Sequence, residues 1–260
     1  MSDVDIRFLR GKWIDGDAFI VGTGTSLRGF DYSVLKNRFT VALNCAVKQF
    51  SPSLLIFSDD QLWRRYVGLP LKKSTAVVCQ SGAVHYLRKD KRCAFRNQVF
   101  LFRRTTRPPV KVSDDMLHVG RTVACGALYL CWKLGARRVF LLGVDGYRVS
   151  EAYYSDGSMH QKGDRQITKR TGNLLQEDRH LRWNATMDEA KGFFNSVKAY
   201  PSVWPGPGVY NLNPQSLISS WPKIDLKEAL KNSLPDFLPE NNGGVEWFKN
   251  SRSRTNASSS

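Results

Sequence analysis

Seven short apolar runs punctuate the chain: "AFIVG" (18–22), "FTVAL" (39–43), "SLLIFS" (53–58), "TAVVC" (75–79), "QVFLF" (98–102), "RVFLLGVD" (138–145) and "GVYNL" (208–212). Each is rich in branched or aromatic residues and is bounded by polar or turn residues. Continuous apolar runs of this length, without polar alternation, are the pattern of strands buried on both faces. Between them, "TVACGALYLCWKLGA" (122–136) reads as a helix buried on most sides, with Gly135 placed to close it. A second helix fits "NATMDEAKGFFNSVKAY" (184–200), stopped by Pro201. Strands separated by helices predict an α/β fold: a doubly wound, mostly parallel, Rossmann-like sheet with helices on both faces.

Two stretches break this rhythm. Residues 148–183 are polar and contain Gly157, Gly163 and Gly172, which reads as a long, lid-like insertion. From residue 240 the chain is polar and low in complexity, the composition of a flexible tail. The expected organisation is one domain over 1–239, with the insertion at 148–183, followed by the tail at 240–260.

Composition changes this picture mainly through charge. With 260 residues, 42% of them hydrophobic, the chain can bury a sizeable core. The five cysteines (Cys45, Cys79, Cys93, Cys125 and Cys131) are odd in number and show no CxxC spacing. That disfavours a disulfide framework or a zinc site and fits a reducing compartment. No secretory pattern opens the sequence and no apolar run approaches a membrane span, so the expectation is a cytoplasmic protein without a transmembrane segment. The formal net charge is +16, and thirteen basic residues lie between Arg64 and Lys111 against the single acid Asp90. Such a field attracts polyanions: nucleic acid, a phosphorylated or lipid-linked glycan, or an anionic surface at which the protein would be peripheral. A generally basic surface without a site is the alternative. Arg64, Arg65, Arg88, Lys89, Arg103 and Arg104 are the candidate contacts. Trp63, Tyr66, Tyr86 and Phe95 are interleaved with them and could stack on bases, although burial in a core is the commoner fate.

In open α/β sheets ligands bind beyond the carboxyl ends of the strands, near the point where strand order reverses. Gly22 and Gly24 follow the first long strand there, and Thr25 and Ser26 add hydroxyls. The spacing is neither GxGxxG nor a P-loop, and a tight structural turn remains the competing reading. Other strand ends are polar too: Asn44, the run Ser58-Asp59-Asp60, and Asp145 followed by Tyr147. Asp59 and Asp60 either cap a following helix or ligate a metal.

Taken together, these segments resemble the bacterial sialyltransferases of glycosyltransferase family 42 and a wider group of related phage-encoded proteins. "VGTGTSLRGFDYSVL" is similar to the family's G-N-G-P-S-L-…-D-Y-S-x-L nucleotide loop, and Asn44 falls where its second strand ends in asparagine. "TVACGALYLCWKLGARRVFLLGVDGY" follows the family's T-S-G-…-A-L-G-…-I-Y-L-S-G-I-D-x-Y without a gap, and "VYNLNPQSLI" (209–218) resembles its N/C-P-x-S-L ending. The matches are scattered over residues 18–220, and the middle third agrees only in length and strand pattern.

The resemblance implies an inverting transferase that moves a sugar from a nucleotide-activated donor to an acceptor hydroxyl, on a glycan or on a modified base of phage-type DNA. Tyr147 and Tyr153 would contact the departing phosphate, and His180 would deprotonate the acceptor, with His160 as its competitor. Gly22, Thr23, Gly24, Ser26, Asn44, Thr122 and Asp145 would line or shape the nucleotide site. No metal and no cofactor besides the donor would be required. The chemistry is sound: a phenol can donate to developing phosphate charge, and a histidine titrating near neutrality can accept an alcohol's proton. The sequence departs from the family at Thr23, Thr25 and Val123-Ala124, where the family has Asn, Pro and Ser-Gly. Fold and reaction type therefore carry over further than the identity of the sugar. Two other readings stand beside it. One is a pyrophosphokinase-like nucleotide enzyme using Mg²⁺ at Asp59, Asp60 and Asp145. The other is a nucleic-acid-binding protein without turnover.

Overall fold

The computed structural model describes residues 4–58, 75–81, 99–105, 115–119, 122–146, 192 and 208–232. Nine parallel strands dominate it. They are β1 (Val4–Asp5), β2 (Asp17–Val21), β3 (Thr40–Leu43), β4 (Leu54–Phe57), β5 (Ala76–Gln80), β6 (Val99–Thr105), β7 (Met116–His118), β8 (Arg138–Leu142) and β9 (Gly208–Asn211). All seven runs read as strands from the sequence are present. The two short edge strands β1 and β7, which carry little apolar signal, were not anticipated.

The spatial order is β1-β6-β5-β4-β3-β2-β8-β9, with β7 also paired to β6. The chain therefore steps outward from β2 to β6 and then returns to lay β8 on the other side of β2. Strand order reverses between β2 and β8, which defines the topological switch point of a doubly wound α/β sheet. Their register runs from Asp17 beside Arg138 to Val21 beside Leu142. Every residue of β2, β3 and β4 is buried, which explains the continuous apolar runs.

Alternation along the strands sends side chains into two cores. One face carries Ala18, Ile20, Val41, Leu54, Ile56, Val139 and Leu141. It is covered by helix α1 (Val123–Leu134), ten of whose twelve residues are buried. Gly135 closes this helix at φ +92°, as the sequence predicts; the Gly135 and Ala136 amides donate to Trp132 O and Cys131 O. The opposite face carries Phe19, Val21, Ala42, Leu55, Phe140 and Leu142. It is covered by single 3₁₀ turns at Thr25–Leu27, Tyr32–Leu35 and Asn44–Lys48 and by helix α2 (Leu226–Asn232). The outward steps thus cross on one face and the return on the other, as right-handed crossovers require. The connections after β2 and β3 carry 3₁₀ turns in place of α-helices.

Below the sheet, at the amino ends of β2 and β8, Asp17 is buried and forked by Arg138. The Nε–Oδ1 distance is 2.9 Å and the Nη2–Oδ2 distance 2.7 Å, and Arg137 Nη2 lies 3.4 Å away. This ion cluster fixes the β2–β8 pair at the end opposite the switch-point loops. The described cysteines Cys45, Cys79, Cys125 and Cys131 are buried thiols that form no disulfide. No helix among the described residues is long and apolar enough to cross a membrane. Of the expected helix at 184–200 only Gly192 is described, in helical conformation. The insertion at 148–183 and the tail at 240–260 lie outside the described residues.

Candidate ligand site at the switch point

The loops leaving β2, β8 and β9 meet at the carboxyl edge of the sheet. Asp145, 4% exposed, is their common point. Its Oδ1 accepts from the Ser26 hydroxyl at 2.6 Å and from Asn213 Nδ2 at 2.7 Å, and its Oδ2 accepts from the Ser26 amide at 3.0 Å. Its main-chain oxygen accepts from the Ser216 hydroxyl at 3.0 Å and the Leu217 amide at 2.9 Å. A buried carboxylate is tolerated only with such partners, and charge-assisted bonds of this kind are the strong ones.

The glycines of the first loop have a physical reason in this geometry. A Cβ on Gly22 would lie 2.9 Å from the Gly143 carbonyl carbon and closer still to its oxygen. A Cβ on Gly24 would lie 2.7 Å from Gly143 O and 2.6 Å from the Asp145 carboxyl carbon. The Gly22 and Gly24 amides donate to Leu142 O and Gly143 O at 2.8 and 2.9 Å, and the Leu27 amide donates to Gly24 O. Both glycines therefore let the β2 loop approach the β8 loop. The Gly22, Gly24 and Ser26 amides and the Ser26 hydroxyl, named from the sequence as nucleotide contacts, are bonded within the protein. Thr23 and Thr25 are half-buried in the same loop.

Asn44 ends β3, the neighbour of β2, and opens the Asn44–Lys48 turn. It is one of three non-glycine residues in the described chain with positive φ (+48°), a strained conformation that recurs at functional sites. Its side-chain Oδ1 is buried and has no hydrogen-bond partner among the described residues. A buried acceptor without a donor is costly, and a ligand N–H or O–H would satisfy it.

Thr122 occupies the N-cap position of α1, at the end of the helix that topology places on the same edge, and lies half-buried. Its Oγ1 is 3.5 Å from Cys125 Sγ, close enough for either to donate. Burial pushes the Cys125 thiol up to about 12, an effect that the Thr122 contact partly offsets. That thiol is an inert packing group.

The structure thus brings Gly22, Thr23, Gly24, Ser26, Asn44 and Asp145 to one edge of the sheet. The sequence-predicted Tyr147, Tyr153, His180 and His160 lie outside the described residues, as do Asp59, Asp60, Arg64, Arg65, Arg88 and Lys89. Tyr147 directly follows Gly146, whose positive φ (+65°) turns the chain past Ile218. Arg103 and Arg104 are exposed neighbours on β6, so strand alternation points them to opposite faces and one flat partner cannot meet both. Arg103 is forked to Asp115, with Nη2–Oδ1 at 3.0 Å, and that pairing raises its pKa above the ordinary arginine value.

Sequence reasoning assigned no role to Asn213 or Ser216, although the motif that contains them stood out. The available signal was an asparagine just beyond a buried strand, as at Asn44. Fold and site define a doubly wound, parallel α/β protein with a candidate ligand site at its switch point. Comparison with protein-family models, with curated proteins and with solved structures gives no match.

Proposed function

We propose that the protein is a nucleotide-sugar-dependent, inverting glycosyltransferase whose donor nucleotide occupies the switch-point edge beside Asn44. The observation that carries this reading is the buried, donor-seeking Oδ1 of Asn44 on strained backbone, one strand from the point where strand order reverses. An amide oxygen there suits the amino group of a base or a ribose hydroxyl. The glycosyl-transfer step itself, with Tyr147 and Tyr153 on the phosphate and His180 as base, rests on the resemblance to family 42. The basic stretch 64–111 supports a polyanionic acceptor, nucleic acid or a phosphorylated or lipid-linked glycan.

The Mg²⁺-dependent pyrophosphokinase-like reading needs Asp145 as a metal ligand. Three donors already occupy its carboxylate, which fits a structural knot better than an open ligand. The experiment is a thermal-shift panel of CMP, UDP, GDP, ATP and their sugars, with and without EDTA. A nucleotide at a hundred times its dissociation constant adds about 2.7 kcal/mol. The expected outcome is a shift with one nucleotide family that survives EDTA and is reduced in Asn44→Ala. No shift with any nucleotide, or a shift abolished by EDTA, refutes the reading.

A further inference from the structure

The described chain contains a polar relay that links a turn beyond the far strand β9 to the glycine loop after β2. Asn213 is held through both its main chain and its carboxamide. Its main-chain N–H donates to Asn211 Oδ1 at 3.0 Å, and its side-chain Oδ1 accepts from the Gln215 main-chain N–H at 2.9 Å. The second bond settles which way the carboxamide points: Oδ1 faces Gln215, so Nδ2 faces Asp145. Asn211 is fully buried beneath the turn, and Lys223 Nζ ties the turn's outer side by donating to Pro214 O and Ser216 O, each at 2.9 Å. The donor offered to Asp145 is therefore preorganised by groups that belong to neither of the other two loops.

Asp145 passes this constraint on. The same Oδ1 that receives Asn213 Nδ2 receives the Ser26 hydroxyl, and Oδ2 receives the Ser26 amide. With Gly24 seated against this carboxylate, moving Asp145 moves the loop that faces any ligand at the switch point.

We propose that Asp145 is a positioning residue through which the Asn213 turn sets the geometry of the glycine loop 22–27. Ligand affinity at the switch point is then determined in part by a turn two strands away that need not touch the ligand. The link to affinity rests on the glycosyltransferase reading, whereas the mechanical coupling does not.

The relay can be reversed without changing its shape. In the double variant D145N/N213D, the carboxamide introduced at position 145 donates to the carboxylate introduced at position 213 and to the Ser26 hydroxyl oxygen. The oxygen of that carboxamide still accepts the Ser26 amide. The test is amide hydrogen exchange on the full chain, compared across N213A, D145N, N213D, the double variant and the milder S26A. CMP binding by calorimetry is the second readout.

Coupling predicts that N213A speeds exchange at the Ser26 amide about tenfold or more, with the β3 amides unchanged. Each half of the swap does the same, and the double variant returns to within about threefold of the parent. Reciprocally, S26A speeds exchange at Leu217, whose amide binds Asp145 O; this arm reads the relay even if a buried-site variant does not fold. Unchanged Ser26 protection in N213A, or a double variant no better than its singles, overturns the proposal. If the parent binds CMP, N213A weakens binding and the swap restores it, whereas loss without restoration overturns the link to affinity. If the parent binds no nucleotide, the transferase reading fails and the exchange data alone decide the relay.

Discussion

Alanine at Gly22 tests the central geometric claim, that this loop's glycines serve loop–loop approach. The added Cβ would fall within 3.0 Å of both the carbonyl carbon and oxygen of Gly143, where ordinary contact begins at 3.4 Å. The obstacle is backbone, so relief requires the β8 loop to retreat. That retreat strains the bonds from the Gly22 amide to Leu142 O (2.8 Å) and from the Gly24 amide to Gly143 O (2.9 Å). Overpacking of this kind costs about 1–3 kcal/mol, and two weakened backbone bonds add about 1 kcal/mol each. The expected loss is about 3–5 kcal/mol, or a melting temperature lower by about 10–15 °C in a chain of this size. Gly29→Ala is the internal control. It has positive φ (+73°) but nothing within 4 Å of its Cβ. Left-handed strain of about 1–2 kcal/mol, offset by about 0.4–1 kcal/mol of lost unfolded-state entropy, leaves a net cost near 1 kcal/mol. Urea denaturation of both variants, with unchanged slope as the check on two-state behaviour, gives the comparison. If Gly22→Ala is as mild as Gly29→Ala, the β8 loop is not held against Gly22. The glycine would then be required only by a bound ligand, and the reasoning for the site fails.

Alkaline stability follows from the buried thiols. Burial lifts Cys125 from 9.0 to about 12 and also raises Cys131 and the Tyr129 phenol. Below about pH 9 both states keep these protons and stability is full. Above it only the unfolded chain ionises, so stability falls by about 1.4 kcal/mol per pH unit per thiol up to the folded value. Urea midpoints between about pH 8 and pH 10.5 should show this slope, and C125A/C131A should flatten it. At the other end of the sheet, Arg138→Met leaves the buried Asp17 with Arg137 at 3.4–3.5 Å and should cost about 2–4 kcal/mol. The more exposed Arg137→Met should cost under about 1 kcal/mol, and D17N/R138M should show coupling in a double-mutant cycle. For polyanion binding, Arg104→Ala should lower the salt dependence of affinity for duplex DNA by about one counterion. Arg103→Ala should lower it less, because Asp115 already neutralises that charge; equal effects in a fluorescence-anisotropy titration would refute the distinction.

The sequence alone determined the seven principal strands, the long helix and its glycine stop, and hence the parallel α/β class. These were legible because buried central strands need continuous apolar runs, and a helix end that turns back needs left-handed backbone. Asn44 and Asp145 were legible as polar groups at the ends of such runs. The sequence did not determine why "GTGTS" holds its glycines. A glycine that approaches a ligand and a glycine that approaches another loop look identical in one dimension. Nor did it assign Asn213 and Ser216, because the partner they hold is Asp145, nearly seventy residues earlier in the chain. Only the strand order, which lays β8 between β2 and β9, brings Ser26, Asp145 and Asn213 within hydrogen-bonding distance. Local patterns follow from which faces of an element must leave water. The knot at the switch point follows from which strands lie side by side, and that is decided by the packing of the whole sheet.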